Sequence, residues 1–456
     1  MPHPQTTSGH VRAILVLGLP LIGSHLAQVA IHSTDTLMLG WYAVDALAAA
    51  TIAGAFYFCV FIVGSGFAWA VMPMVAAADA AGDDQQVRRV TRMALWISLV
   101  FATATMPLLW FSEDVLLSIG QESRVAELAQ NYLRIAGWSI FPALVVMVLK
   151  SYLAALERTE IVFWVTALAA ALNVPINYAL IFGNFGMPEL GIRGAAIASV
   201  SLQVLSLVVL IAYVRRETAK YELFARFWRA DPEGLRRVFR LGWPIGLTNL
   251  AEVGLFAASS VMIGWLGALA LAAHGIALQL ASITFMVHIG LSNAATIRAG
   301  QAFGLNDEAD LRKGGRTIIA MSMIFALLTV AVFLLFPTPL IGLFLAPDDP
   351  ARPEILALGA VLLALAAAFQ LGDAAQVMAL GLLRGVQDTR VPMVWAAIAY
   401  WGVGAPAAYL LGFPLDLGAA GVWIGLVIGL FVAAVALMAR FWRRSVHIAA
   451  PEGAAA

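Results

Sequence analysis

Long apolar runs separated by short polar stretches recur along the entire chain. A helix crossing a ~30 Å hydrocarbon layer needs about 20 apolar residues. A window of that length picks out twelve segments, near 13–39, 46–78, 90–111, 128–149, 160–182, 191–213, 241–265, 268–297, 317–336, 355–383, 391–411 and 418–439. None shows the strict alternation of a strand, so the pattern predicts an all-α polytopic membrane protein. Prolines early in spans 1 and 7 ("LGLP" at 17–20, "LGWP" at 241–244) predict a kink in each.

Those two stretches belong to a longer correspondence. "LGLPLIGSHLAQV" (17–29) aligns without gaps with "LGWPIGLTNLAEV" (241–253), and "GW" at 40–41 with "GW" at 264–265. "LGIRGAA" (190–196) resembles "LGAAGVW" (417–423). Six spans per repeat is an even number, so both repeats enter the membrane in the same direction. The expected architecture is therefore two pseudo-symmetric six-helix bundles related by an axis along the membrane normal. The expected domains are an N-terminal lobe at 1–213, a basic cytoplasmic linker at 214–240 and a C-terminal lobe at 241–456.

Composition agrees with the pattern: 62% of the 456 residues are hydrophobic and 12% are charged, about half the ~25% of soluble domains. Net charge is zero, which gives no reason to expect a nucleic-acid partner. The single cysteine, Cys59, excludes an internal disulfide, and the first apolar segment reads as a retained span rather than a cleaved signal peptide. Of the 27 Lys and Arg, all but Arg124, Arg134, Arg193 and Arg352 fall in the termini or about the loops after even-numbered spans. The positive-inside rule then places both termini in the cytoplasm. The linker mixes basic and aromatic residues ("YELFARFWRADPEGLRRVFR"), which predicts an interfacial helix held by anionic lipids. Arginine in place of lysine and abundant alanine suggest a GC-rich bacterial gene, hence an inner membrane.

Three acids lie deep within apolar spans: Asp35 in span 1, Glu252 in span 7 and Asp373 in span 10. A charge at mid-membrane costs roughly 2.5–3.5 kcal/mol even on mild insertion scales, so such groups face a cavity or a partner. The plainer reading is a protonated carboxyl bonded to a neighbouring helix. Three acids with no intramembrane base favour a mobile cation instead, and oxygen-only ligands suit Na⁺ or a proton. Ser24, Gln28, His32 and Asp35 form one stripe of span 1; Thr248, Glu252, Phe256 and Ser259 form the matching stripe of span 7. Gln28 aligns with Glu252 and Asp35 with Ser259, so the repeats share a polar face but place their charges at different levels. Gln370 and Gln376 flank Asp373. Asn173 and Asn177 share a face of span 5 and need partners, either interhelical or at a site. Histidines 25, 32, 274 and 288 form no metal motif and read as polar helix contacts, with His32 alternatively a cavity group. No GxxxxGK[ST] loop is present, so ATP drive within the chain is not expected.

"STDTLMLGW" in span 1, "LNVPINY" in span 5, "NLAEVGLF" in span 7 and "GDAAQVMALGLLRGVQDT" ending span 10 together resemble the multidrug and toxic compound extrusion family, in its NorM-type branch. The resemblance covers essentially the whole chain. It implies a transporter rather than an enzyme, with no cofactor beyond a coupling ion, Na⁺ or H⁺. It assigns Glu252 and Asp373 to a cation-coupling site (to Na⁺ if sodium is the ion), with Phe285 as a cation–π neighbour. It assigns Asp35 with Asn173 and Asn177 to the acidic site of the N-terminal lobe, and Asp348 and Asp349 of "PDDP" to contact with substrate. Family members often carry glutamine where this chain has Gly275. The implied activity is antiport: a monovalent cation enters and a small organic cation is expelled, by alternating access in a monomer without an obligatory protein partner. The alternative is a lipid-linked oligosaccharide flippase of the same wider superfamily, whose anionic substrate would call for intramembrane bases. A channel or membrane enzyme would show filter-like repeats or clustered catalytic residues, and neither is visible.

Overall fold

The computed structural model describes residues 6–448. Among them there is no strand, and twelve helices are long and apolar enough to cross a membrane. They are α1 (Thr7–Tyr42), α2 (Val44–Ala80), α3 (Asp84–Trp110), α4 (Ser123–Ala155), α5 (Thr159–Phe182), α6 (Ile192–Glu217), α7 (Pro232–Trp265), α8 (Ala268–Gly304), α9 (Glu308–Leu335), α10 (Arg352–Gly385), α11 (Arg390–Gly412) and α12 (Gly418–Ser445). All twelve expected spans are present. Several helices outrun their apolar windows because backbone hydrogen bonding continues into polar turns. The start of α9, for example, is capped by Asp307, whose carboxylate accepts the Asp310 amide at 2.9 Å. Within α4 a tight turn at Gly137–Ser139 interrupts the α geometry, and α11 carries a π-helical segment at Ile398–Gly404.

The chain divides into two compact units, Gly23–Gly246 and Met1–Ile22 with Leu247–Ala456. The lobes expected from sequence, 1–213 and 241–456, exchange their first turns in this division. Each chain crossing lies inside a helix, two residues after a proline: Pro20 in α1 and Pro244 in α7. Proline removes one ladder hydrogen bond and loosens the helix where it passes from one unit to the other.

The same helix pairings recur in both units. In Gly23–Gly246, α2 packs on α3 and α4, α4 on α3 and α6, and α5 on α6. In the other unit, α8 packs on α9 and α10, α10 on α9 and α12, and α11 on α12. The repeat extends to single atoms. Gly66 of α2 lies against Gly242 and Gly246 of α7, a GxxxG surface on which a Cβ would fall 2.7 Å from Gly246 Cα. Its counterpart, Gly290 of α8, lies against Ile22 of α1, where a Cβ would meet the Ile22 amide nitrogen at 2.8 Å. The start of α1 is further held by polar contacts: His10 Nε2 is 3.5 Å from Asp310, which Arg298 approaches at 3.3 Å.

Between the end of α6 at Glu217 and the start of α7 at Pro232, the linker forms turns rather than the expected interfacial helix, and its remaining residues are the ends of those two helices. A single tight turn at Ala219–Tyr221 follows α6, and Glu222 and Arg226 adopt positive φ (46° and 53°), which no α-helix accommodates. The carbonyls a helix would consume are taken by α3: Arg92 Nε donates to Leu223 O at 2.9 Å and Trp96 Nε1 to Phe227 O at 2.9 Å. Arg89 adds a two-pronged pair with Asp231 at 2.6 and 3.1 Å. The linker is thus clipped to the Gly23–Gly246 unit by its own backbone.

Candidate functional site

In the unit holding Leu247–Ala456, α7 and α10 bring Glu252 and Asp373 together. The two carboxylates lie within electrostatic range of each other. Asp373 is 1% exposed, and among the described residues neither of its oxygens receives a hydrogen bond. Glu252 accepts one long bond from Gln376 Nε2 at 3.4 Å. Gln370 faces α8 instead, donating to Thr284 Oγ1 at 2.7 Å, so the flanking glutamines divide between the acid and the helix interface. Phe285 follows Thr284 on α8 and is half-buried.

The expectation that these acids lack an intramembrane base is overturned. Arg384, in the last turn of α10 and 7% exposed, lies within electrostatic range of Glu252 and donates to Asn249 Oδ1 at 2.7 Å. Charge counting places it in a loop because it stands one residue beyond the apolar window. The missed signal was spacing: residues 373, 377, 380 and 384 trace one stripe of an α-helix, so Arg384 follows Asp373 by three turns on the same face. Tyr400, in the π-helical segment of α11, is fully buried within electrostatic range of Glu252, Asp373 and Arg384. π-Segments recur at functional sites because the extra residue redirects a side chain. No pattern in the sequence pointed to Tyr400 or Asn249.

In the Gly23–Gly246 unit, Asp35 of α1 accepts Asn173 Nδ2 at 2.9 Å and Asn177 Nδ2 at 2.6 Å through the same oxygen. Asn177 also donates to Asn173 Oδ1 at 3.1 Å. The structure therefore brings together all three residues expected of this site, and the partners the asparagines need lie within it. Tyr132 of α4 lies within electrostatic range of Asp35 and was not foreseen. A second interior base stands nearer the other end of these helices. Lys150 Nζ donates to Thr166 Oγ1 at 2.7 Å, and that hydroxyl also pairs with Ser24 Oγ at 2.8 Å.

The remaining expected residues have plainer surroundings. Asp349 accepts the Ala351 amide at 2.9 Å in the turn before α10, while Asp348 is exposed. His274 bridges Trp423 Nε1 (3.1 Å) and Ser260 Oγ (3.0 Å), and His288 Nδ1 meets Ser322 Oγ at 2.8 Å, so both serve as interhelical contacts. Gly275 is exposed, with no atom within 4 Å of where a Cβ would stand.

The MatE family model matches residues 20–179 and 244–410, one stretch in each repeat. Two proteins described as "Probable multidrug resistance protein NorM" are similar over most of their length. One, from Rhizobium meliloti, is 47% identical and covers 95% of this chain and 93% of the relative. The other, from Agrobacterium fabrum, is 45% identical with the same coverage of both chains. Among solved structures, the eukaryotic MATE transporter AtDTX14 matches with a TM-score of 0.85 at 20% identity over 97% of this chain and 98% of that one. An outward-facing multidrug resistance MATE family transporter of the MOP superfamily matches at 0.86 and 19%, over 96% of each chain. Matched by the family model in both repeats and by a 47% identical relative across nearly its whole length, this protein belongs to the MatE family.

Proposed function

We propose that this protein is a multidrug efflux antiporter of a bacterial inner membrane. It exchanges an inward-moving monovalent cation, Na⁺ or H⁺, for small organic cations. The Glu252–Asp373 pair carries the reading: two interior acids in range of each other, one with both oxygens unpartnered among the described residues. A buried ionised acid left without hydrogen bonds is costly, and a bound cation removes that cost. The site is therefore more stable loaded than empty, which is what a coupling site requires.

Asp35 supplies the second interior acid, and its two amide donors hold one oxygen while leaving the other available to a ligand. Coupling follows when cation and substrate each disfavour the state that the other stabilises. Alternating access would turn at the two intrahelical crossings that follow Pro20 and Pro244. The relatives' description as multidrug resistance proteins agrees with this assignment. Glu252→Gln and Asp373→Asn are each expected to abolish cation-driven ethidium efflux from cells with expression intact; full efflux by both refutes the assignment.

A further inference from the structure

We propose that Arg384 is the fixed counter-ion of the Glu252–Asp373 site and sets its capacity at one monovalent cation. The inference rests on the coupling role given to those acids and extends it to the stoichiometry and affinity of the same site. Three ionisable side chains lie within electrostatic range of Tyr400: Glu252, Asp373 and Arg384. A guanidinium stays protonated in proteins, so with both carboxylates ionised the two acids and Arg384 together carry one net negative charge. One Na⁺ or one proton neutralises that charge, and a second would leave the buried cluster positive.

Arg384 is held where this count matters. Its NH2 bonds Asn249 at 2.7 Å, and Asn249 precedes Glu252 by one helical turn, about 4.5 Å of rise, on the same side of α7. The guanidinium therefore cannot swing out to replace the bound cation without breaking a charge-assisted bond in a buried place. It acts on the site at a distance, as a constant positive field rather than as a ligand. The field is uneven: Arg384 stands in range of Glu252, while the neighbour in range of Asp373 is Glu252. Asp373, with neither a neighbouring base nor a hydrogen bond among the described residues, is the carboxylate with most to gain from the incoming ion. Through an effective dielectric of ~20, a unit charge a helical turn or two from the site changes cation affinity on the order of tenfold. Arg384 is thus a positioning residue that keeps affinity low enough for the ion to leave.

Equilibrium binding to the purified full chain tests this, counting ²²Na⁺ where a sodium gradient drives efflux and protons taken up where a pH gradient does. Wild type should bind one cation that Glu252→Gln eliminates. Arg384→Gln should bind it roughly tenfold tighter, with half-saturation of driven efflux falling in parallel and maximal rate dropping. Arg384→Lys, which keeps the charge, should stay within about threefold of wild type. Two Glu252-dependent cations per wild-type chain, unchanged affinity in Arg384→Gln, or equal tightening by Arg384→Lys would overturn the proposal. Should Arg384→Gln fail to fold, the wild-type count and Arg384→Lys still decide. Absence of efflux by wild type under either gradient would instead count against the antiport reading.

Discussion

Gly66 offers a sharp test of how the two chain crossings are built. A Cβ at this position would lie 2.7 Å from Gly246 Cα and still closer to Gly242 O and Gly246 N. All three are backbone atoms of α7, so no rotamer change relieves the clash, and the helices must separate. Overpacking of this kind costs about 3 kcal/mol at the upper end of its usual range. Alanine also improves helix propensity over glycine by about 1 kcal/mol, which offsets part of the loss. Gly66→Ala should therefore destabilise the fold by roughly 2 kcal/mol. At 2–4 °C per kcal/mol for a unit of this size, thermal unfolding in detergent should fall by about 4–8 °C. Gly54 lies on the same helix with nothing within 4 Å of its Cβ position, so Gly54→Ala should hold or slightly raise the midpoint. Equal midpoints for the two variants would refute the close α2–α7 contact. Gly290→Ala, which meets the Ile22 backbone, should behave like Gly66→Ala if the repeat is symmetric in this respect.

Asp35→Asn retains a carbonyl for Asn173 and Asn177 and removes only charge, so it should abolish efflux while cation binding at Glu252–Asp373 stays largely intact. Loss of that binding would contradict separate sites. His274→Leu removes the acceptor of the buried Trp423 indole and should cost about 1–3 kcal/mol, read as a lowered unfolding midpoint that His274→Gln partly restores. At the linker, the Arg89 guanidinium holds the Asp231 carboxyl below the usual carboxylate range. The pair's contribution, about 1 kcal/mol, is present above the unfolded value near 4 and is lost as pH falls through the lower folded value. Asp231→Asn should therefore unfold earlier than wild type at pH 5–8, with the gap closing below about pH 4; a gap independent of pH would contradict the ion pair.

The spans, the repeat and the interior acids were legible because each is a one-dimensional signal: an apolar window, a gapless self-alignment, or a charge among apolar residues. What escaped depended on direction. Arg384 and Lys150 each stand one residue beyond an apolar window, where charge counting assigns loops, and only their inward direction onto Asn249 and Thr166 makes them interior groups. Composition predicts an interfacial helix for the linker, but the carbonyls of Leu223 and Phe227 are engaged by Arg92 and Trp96, more than a hundred residues earlier in the chain. The lobes read as consecutive halves because nothing in a self-alignment reveals that α1 and α7 each pass from one unit to the other just beyond a proline. Asp348 and Asp349 are joined by resemblance alone; the structure gives Asp349 a local bond from the Ala351 amide and leaves Asp348 exposed.

The most direct measurement is efflux of a fluorescent organic cation from proteoliposomes of wild type, Glu252→Gln and Asp373→Asn under an imposed Na⁺ gradient or an imposed pH gradient, each alone. The account predicts that at least one gradient drives wild-type efflux and that neither variant responds to it. Gradient-driven efflux undiminished in both variants, or wild-type efflux indifferent to both gradients, would contradict it.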